Sequence, residues 1–567
     1  MLRPFPYFDF SQVRFQNIIR YSLFPIRVQR PLGQSNITCV INQSINPKLI
    51  TFLPSSLRNE LTNLSAIATI MSNSLFKSNL VLLVPELLTA IVSYLPNPDL
   101  KSLRLTCKAL GEEVPLRFDR VFLSANPRNI EVARAIADNE KFRKGVQEIL
   151  WDDALLVHEL ARPNEAIRML EEPPRAEGDP PTWFVRACKN NIEDLKNLKR
   201  DKKRPKTREF LPFSESWNYY ETLLEQQEEV LESGADIDVL KYVLERFQSL
   251  QKITITPAAH GSLDRPLYET PMIKSFPKGF NYPIPRGWPS SGPLEIYILP
   301  PWNDKTAKKQ WRGFCIITNV LAGRNDHHIS ELIIDVRELE TGLSCRIFDE
   351  PCEEYNNLVH LIQQPGFRRI DLALLADGQY YDDWSSFRSG QLKRMFEAAP
   401  GLEHVSLRIA ADYGQIYPDF EQNRIPFQTI FPVDRWRKLQ YFGLSNSIVD
   451  GPDLLSLLGA LPTTLRFVEL SFLEFVGDRG NYRDILHDIR DTLDWRGRAA
   501  DERPKLIIHV HGSSMRHTPM RYQCVDDQAN GFIYGDKENP FGARLNGNAL
   551  IQKMGIERFR FGCCYSG

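Results

Sequence analysis

Leu402-Glu403-His404-Val405-Ser406-Leu407 places apolar side chains at the first, fourth and sixth positions of a short stretch. The same spacing recurs, with substitutions, at Ile329/Leu332/Ile334, Phe367/Ile370/Leu372, Leu439/Phe442/Leu444 and Leu465/Val468/Leu470. In chain order the first members lie 38, 35, 37 and 26 residues apart. Alternation at the second and third apolar positions is the period of a half-buried strand. Leu506 to Val510 is a sixth candidate strand, and Ser389 to Ala398 and Asp453 to Leu461 carry helical patterns between strands. A strand-then-helix unit used repeatedly predicts parallel strands covered by helices, because parallel neighbours need a long crossover connection.

Repetition of one such unit is the signature of an irregular leucine-rich-repeat-like solenoid of strand–helix units, an α/β fold. The units are longer and less even than the roughly 20 to 29 residues of regular examples. A single α/β domain with buried strands would have the same elements. In a solenoid, residues alternating with the core positions face one continuous sheet surface. Here these are Asp335, Asp371, His404, Arg408, Gln440, Tyr441, Arg466 and Glu469. Their mixed signs and few aromatics name no substrate, and each is equally well read as a solvated side chain.

A second stretch, Val84 to Leu110, reads VPELLTAIVSYLPNPDLKSLRLTCKAL. Val84-Pro85-Glu86 is a helix start: proline has a pre-set φ and no N–H to lose, and Glu86 sits at the positive end of the dipole. Leu87, Leu88, Ile91, Val92 and Leu95 fall on one broad face. Pro96 and Pro98 stop the helix, with Asn97 or Asp99 as caps of the next. Leu100, Leu103, Cys107 and Leu110 then recur at steps of 3, 4 and 3. The spacing predicts two helices with more apolar surface than they can bury on each other, hence a partner. An ordinary helical pair inside a larger core is the alternative.

These residues resemble the F-box. The family's Leu-Pro start, paired apolar residues, Ile-x-x-x-Leu step, proline turn with Asp-Leu, Leu-Arg and Val-Cys-Lys/Arg ending are matched in order. Here they are Val84-Pro85, Leu87-Leu88, Ile91 with Leu95, Pro98-Asp99-Leu100, Leu103-Arg104 and Thr106-Cys107-Lys108. Val84 stands where leucine is usual, and Leu110 near where tryptophan is common; both stay apolar. Asp119 to Ala154 is similar to the segment that follows the F-box in many fungal F-box proteins. The resemblance implies that Val84, Pro85, Leu87, Leu88, Ile91, Leu95, Pro98, Leu100, Leu103, Arg104, Cys107 and Lys108 dock on a Skp-type adaptor. Through it the chain would join a cullin–RING ubiquitin ligase, with the repeats binding a target protein.

Composition is compatible with this. The 567 residues hold roughly three to four domains at about 150 each. A content of 42% hydrophobic and 25% charged residues is that of a globular protein. The 70 basic and 71 acidic residues leave a net charge of -1, which excludes a whole-chain electrostatic grip on nucleic acid or membrane. Nine unevenly spaced cysteines predict reduced thiols in a cytoplasmic or nuclear protein. Cys345 and Cys352 lack a zinc-knuckle spacing. Leu80 to Leu95 is apolar, but it contains Glu86, is broken by Pro85 and falls short of the about 20 residues of a membrane span.

Residues 1–70 carry seven basic residues and two acids. That is the bias of a mitochondrial transit peptide, yet prolines interrupt any helical period. They predict a disordered or dispensable extension, with Met71 a natural start. Asn36, Asn42 and Asn63 open Asn-x-Ser/Thr sites that matter only in a secreted protein. The F-box is assigned to 80–115 and a strand–helix–strand bridge to 116–160. A charged, Pro-rich linker or insertion with helices follows at 161–300, the repeat domain at 301–520 and a tail at 521–567. Lys199 to Arg208, KRDKKRPKTR, is a nuclear-localisation pattern or a solvated linker. Residues 257–303 form a long Pro- and Gly-rich loop.

Signals of bond chemistry are sparse. There is no P-loop, nucleophile elbow or dinucleotide fingerprint. His509 and His511 alternate on a predicted strand and share a face, but no third metal ligand accompanies them at a recognisable spacing. His327-His328 lies in a polar loop. His487-Asp488 matches a metal-phosphohydrolase dipeptide in name only. Trp151-Asp152-Asp153 offers paired carboxylates or a helix cap. The sequence therefore predicts a chain that is no enzyme and needs no cofactor or metal. It would recruit a target protein for ubiquitination as the substrate-recognition subunit of a Skp–cullin–F-box ligase. One alternative is an F-box protein acting outside a ligase. Another is a hydrolase with a site between the repeat strands and the Pro-rich insertion.

Overall fold

The structure is a computed structural model that describes residues 83–158, 179–199, 209–290, 298–324, 327–337, 339–411, 425–476, 479–511 and 522–541. Two compact units divide it, Met1–Val114 and Pro115–Gly567. Residues 1–70, Met71, the charged run 200–208 and the tail beyond 541 lie outside the described residues.

The described part of the first unit holds three helices: α1 (Pro85–Ser93), α2 (Asn97–Arg104) and α3 (Lys108–Glu113). Pro85 opens α1 after an extended Val84, the use of proline that the sequence predicts. The N-cap of α2 is Pro96, and no side chain caps it, so Asn97 and Asp99 do not act as expected. The predicted second helix is two helices. Cys107 is extended, φ −158° and ψ 161°, and turns the chain between them. Arg104 secures this corner by donating to the carbonyl of Val114. Leu88, Val92, Leu100, Leu110 and Val114 are buried.

The second unit is mixed α/β and built on one sheet. Nine parallel strands lie side by side in chain order: β1 (Arg120–Leu123), β2 (Glu148–Asp152), β3 (Lys252–Thr256), β4 (Glu331–Ile334), β5 (Arg369–Leu375), β6 (His404–Ala410), β7 (Tyr441–Ser445), β8 (Phe467–Ser471) and β9 (Lys505–Ile507). Leu343–Ser344 adds a short parallel strand beside the end of β5. At each strand entry a backbone rung links neighbours. Gln147 donates to Asp119, Gln251 to Gln147, Ser330 to Gln251 and Arg368 to Ser330; Glu403, Gln440, Arg466 and Lys505 continue the series, all at 2.7–3.0 Å.

Alternation along the strands then separates two faces. Val121, Ile149, Ile253, Leu332, Ile370, Val405, Phe442, Val468 and Leu506 form one transverse row, each at most 1% exposed. Helices cover this row: α4 (Pro127–Asp138), α7 (Ala235–Leu244), α8 (Arg312–Ala322), α9 (Glu353–Ile362), α10 (Gln391–Glu397), α11 (Gly451–Ala460), α12 (Tyr482–Thr492) and α13 (Asp526–Tyr534) all bury apolar side chains in the same core. Helices α5 (Thr182–Lys199) and α6 (Phe213–Ser233) meet in a second core around Phe184, Tyr220 and Phe280. Burying each such Leu, Ile, Val or Phe contributes roughly 1.5–3 kcal/mol.

The sheet starts at Arg120, not at residue 329. The spans assigned to a bridge, a linker and a repeat domain therefore belong to one compact unit, with β3 at Lys252–Thr256 an unpredicted member. Among the described residues, no helix is long and apolar enough to cross a membrane.

Gly342 precedes the short strand and lies against the β5 backbone. A Cβ there would stand 2.4 Å from the Leu374 carbonyl carbon and 2.6 Å from Ala373 O and Leu375 N. Trp311 also donates its indole N–H to the Gly342 carbonyl at 2.9 Å. Overpacking against backbone of this kind costs about 1–3 kcal/mol, so Gly342→Ala should lower the Tm by several degrees. Gly497→Ala, which meets nothing within 4 Å, should not; thermal melts of the two variants make the comparison.

Candidate functional site

The open face of the sheet carries its own transverse row, made of the first residue of each strand. Arg120, Glu148, Lys252, Glu331, Arg369, His404, Tyr441, Phe467 and Lys505 are successive register partners. Charge alternates from Arg120 to Arg369, and the row then becomes aromatic. Glu148 meets Arg120 at 2.6 Å and Lys252 at 3.2 Å, and accepts from Thr254 at 2.6 Å. Burial opposes its ionisation, but the Arg120 charge, the Thr254 bond and the Lys252 charge outweigh it and hold Glu148 below the ordinary range.

In the aromatic half, Asp371 pairs with Arg369 at 2.7 Å and with His404 at 2.9 Å. The His404 and Tyr441 rings stack at 3.9 Å and 5°, and Tyr441 donates its hydroxyl to Glu469 at 2.5 Å. Phe467, next in the row, is 40% exposed. Burial again opposes the carboxylate of Asp371, and the His404 hydrogen bond with the His404 and Arg369 charges overcomes it, so its pKa is lowered.

The structure thus brings together four of the eight residues predicted for this face: Asp371, His404, Tyr441 and Glu469. Arg408 is held by the backbone carbonyls of Arg337 and Leu339. Gln440 and Arg466 precede their strands and supply backbone rungs. Asp335 follows β4, accepts the Tyr268 hydroxyl and pairs with Arg337 at 3.1 Å. Phe467 and Lys505, both exposed, were not predicted; each stands one position before a buried core residue, which is the signal that finds them.

The Pro-rich segment after β3 shields one end of this face. Tyr268 packs with Leu150 and Ala259, with Phe122 against them, and lies 5.3 Å beneath the Arg120 guanidinium. The β6–β9 end carries half-buried His404 and Tyr441 beside exposed Phe467 and Lys505.

In the first unit, the residues placed by resemblance separate by exposure. Val84, Leu87, Ile91 and Tyr94, at steps of 3, 4 and 3, line one side of α1 and are 55%, 37%, 45% and 81% exposed. Pro85, Pro98, Cys107 and Lys108 are also exposed, whereas Leu95, Leu103 and Arg104 are half-buried. Leu88 and Leu100 are buried.

Asp153 caps the first turn of α8 from a distance in sequence, whereas Asp152 caps no helix. Asp153 accepts from the indoles of Trp151 and Trp288 at 3.1 and 2.8 Å and from Gly313 N at 2.8 Å. Asp152 accepts from Ala154 N at 3.1 Å, and its other oxygen lies 3.6 Å from His260 Nε2. His260 Nδ1 is 2.8 Å from the Tyr282 hydroxyl. Burial, with the neighbouring Asp153 charge, pushes Asp152 up to about 8; burial and Arg286 push His260 down to about 3. Both are neutral near pH 7, so their approach is not an ion pair. The adjoining cavity, between Asn126, Gln227, His260 and Met272, measures about 10 Å³, room for one water rather than a substrate. His487 packs its ring on Phe532 at 4.9 Å, between helices. His327 accepts from Ile329 N at 3.3 Å. His509 meets Cys524 and Asp526; the side chain of His511, its predicted companion, lies outside the described residues.

No protein-family model matches this chain, and no curated protein matches it.

The Asp152 carboxyl ionises near 3.8 when unfolded and near 8 when folded. Its contribution to stability is therefore complete below the lower value and is lost as pH rises through the upper one. Asp152→Asn keeps the acceptor for Ala154 and cannot ionise. It should raise the Tm at pH 8 by several degrees and leave it unchanged below about pH 4, as melts across that range would show.

Proposed function

We propose that this chain is the substrate-recognition subunit of a Skp–cullin–F-box ubiquitin ligase. Its first unit is the F-box, and its second is an irregular leucine-rich-repeat-like solenoid. The stripe of Val84, Leu87, Ile91 and Tyr94 supports this most directly: four large apolar side chains lie exposed on one side of α1, and covering such a patch is favourable. The stripe falls within the F-box pattern, which makes a Skp-type adaptor the partner that covers it.

The second unit supports the other half of the proposal. Nine parallel strands in chain order suit a solenoid, and the β6–β9 end of its open face combines His404, Tyr441, Phe467 and Lys505. Aromatic side chains such as Tyr441 and Phe467 are enriched in the cores of protein interfaces. The target would bind there while the F-box holds the ligase. The chain then acts by raising the effective concentration of target near the ubiquitin-loaded enzyme, in the cytoplasm or nucleus.

Capture of a purified Skp-type adaptor by the full chain tests this. A charge buried unpaired at an interface core costs several kcal/mol, so Leu87→Asp and Ile91→Asp should each weaken capture by at least about 100-fold. Phe467→Asp should leave adaptor capture unchanged and weaken target binding. Leu88→Asp is uninformative here, since Leu88 is buried. No capture by the wild type, or equal capture by both α1 variants, would reject the proposal. Recruitment of a cullin along with the adaptor distinguishes the ligase from an F-box protein acting outside one.

A further inference from the structure

We propose a divalent-metal site of zinc chemistry at the β9 end of the second unit, formed by His509, Cys524 and Asp526. Its basis is independent of the ligase proposal. After β9 the chain forms a two-stranded antiparallel hairpin, His509–His511 with Tyr522–Cys524. In its register His509 stands opposite Cys524, so both side chains leave on the same face, with Cβ atoms about 4.5–5.5 Å apart. Asp526 opens α13 two residues later. One ligand atom from each of the three residues lies within 4.8 Å of the others. A tetrahedral zinc ion with bonds of about 2.0–2.3 Å spaces its ligand atoms somewhat under 4 Å apart, a modest contraction from this arrangement.

The surroundings of His509 point to an ion. The residue is 5% exposed, and its Nε2 has no hydrogen-bond partner among the protein atoms; a buried nitrogen so placed calls for an ion or a water. Its Nδ1 lies 3.0 Å from Ser471 Oγ. That leaves Nε2 to bind the metal and supplies the outer hydrogen bond by which a ligating imidazole is oriented. Asp526 is positioned by accepting from Ile508 N at 2.7 Å. One thiolate, one imidazole and one carboxylate form a donor set that suits zinc better than calcium or magnesium. Binding would release the Cys524 thiol proton to solvent, and a fourth coordination position is left for water or another donor.

The test is titration of the chelator-treated full chain with Co²⁺ and then Zn²⁺. One equivalent of Co²⁺ should bind, show near-ultraviolet thiolate-to-cobalt absorption and be displaced by Zn²⁺. Cys524 is exposed, so Cys524→Ser should keep the metal-free melting profile. It should lose the absorption band and bind Zn²⁺ at least about 100-fold more weakly, since even loss of an outer-shell partner costs about 10–100-fold. Asp526→Asn, which retains an acceptor for Ile508, should keep the band and weaken binding at least about tenfold. Absence of stoichiometric binding overturns the proposal. So does a band that survives in Cys524→Ser, which would show an adventitious ion on other thiols only.

Discussion

The carbonyl of the residue before each of β1 to β7 accepts two N–H groups from the start of the next strand. Asp119, Gln147, Gln251, Ser330, Arg368, Glu403 and Gln440 all do so. This shared hydrogen bond falls at the same register position in each strand pair. A slip of one residue would exchange the two faces of a strand and bring charged side chains such as Arg369 or Lys252 toward the helices. Because every neighbour is joined at the same position, core residues align into one row and the strand-first residues into another. The functional proposal for the second unit rests on that second row.

Along the row, the environment of each residue decides its role. At the β1–β3 end, Glu148 is enclosed by Arg120, Lys252 and Thr254, and Tyr268 covers the sheet, so charge there is used up in internal pairing. From β5 to β8 the charges pair among themselves: Asp371 takes Arg369 and His404, and Glu469 takes the Tyr441 hydroxyl. The His404 and Tyr441 rings cover each other's faces, and Phe467 is left outward. Half-buried ion pairs add little net stability. Their effect is orientation: they hold His404 and Tyr441 in a stack, presenting a flat, rigid surface at low entropic cost.

The strand spacing was legible from residue 329 onward because the repeats there are close together. The same apolar spacing exists upstream at Phe118/Val121/Leu123, Val146/Ile149/Trp151 and Leu250/Ile253/Ile255. The first two of these are legible as the strands of the bridge, but the third is not, because 104 residues separate Val146 from Leu250 and the helices and polar stretches between them mask the period. On α1 the periodicity identified the apolar residues but merged two surfaces. Neighbouring positions on a helix point about 100° apart, so Leu88 and Val92 face inward while Leu87 and Ile91 face out. His509 and Cys524 lie 15 residues apart, and only the closing of an antiparallel hairpin makes them opposite. No local spacing rule encodes that.

The last strand shows how such a sheet ends. An uncovered edge offers free N–H and C=O groups to other chains. β9 is three residues long, and the side chains of α13 take the place of a tenth strand. Asn530 accepts from Leu506 N at 2.9 Å and donates to Leu506 O at 2.7 Å, as a paired backbone would. Asp526, one helical turn earlier, accepts from Ile508 N. A side-chain amide satisfies one residue of strand and then stops, so the repeat cannot propagate past it. Terminal caps of this kind are required wherever stacked units expose an unsatisfied end. The residue that closes the edge, Asp526, is also the one that the hairpin brings to His509 and Cys524, so an ion bound there would fix the cap to the strand it protects.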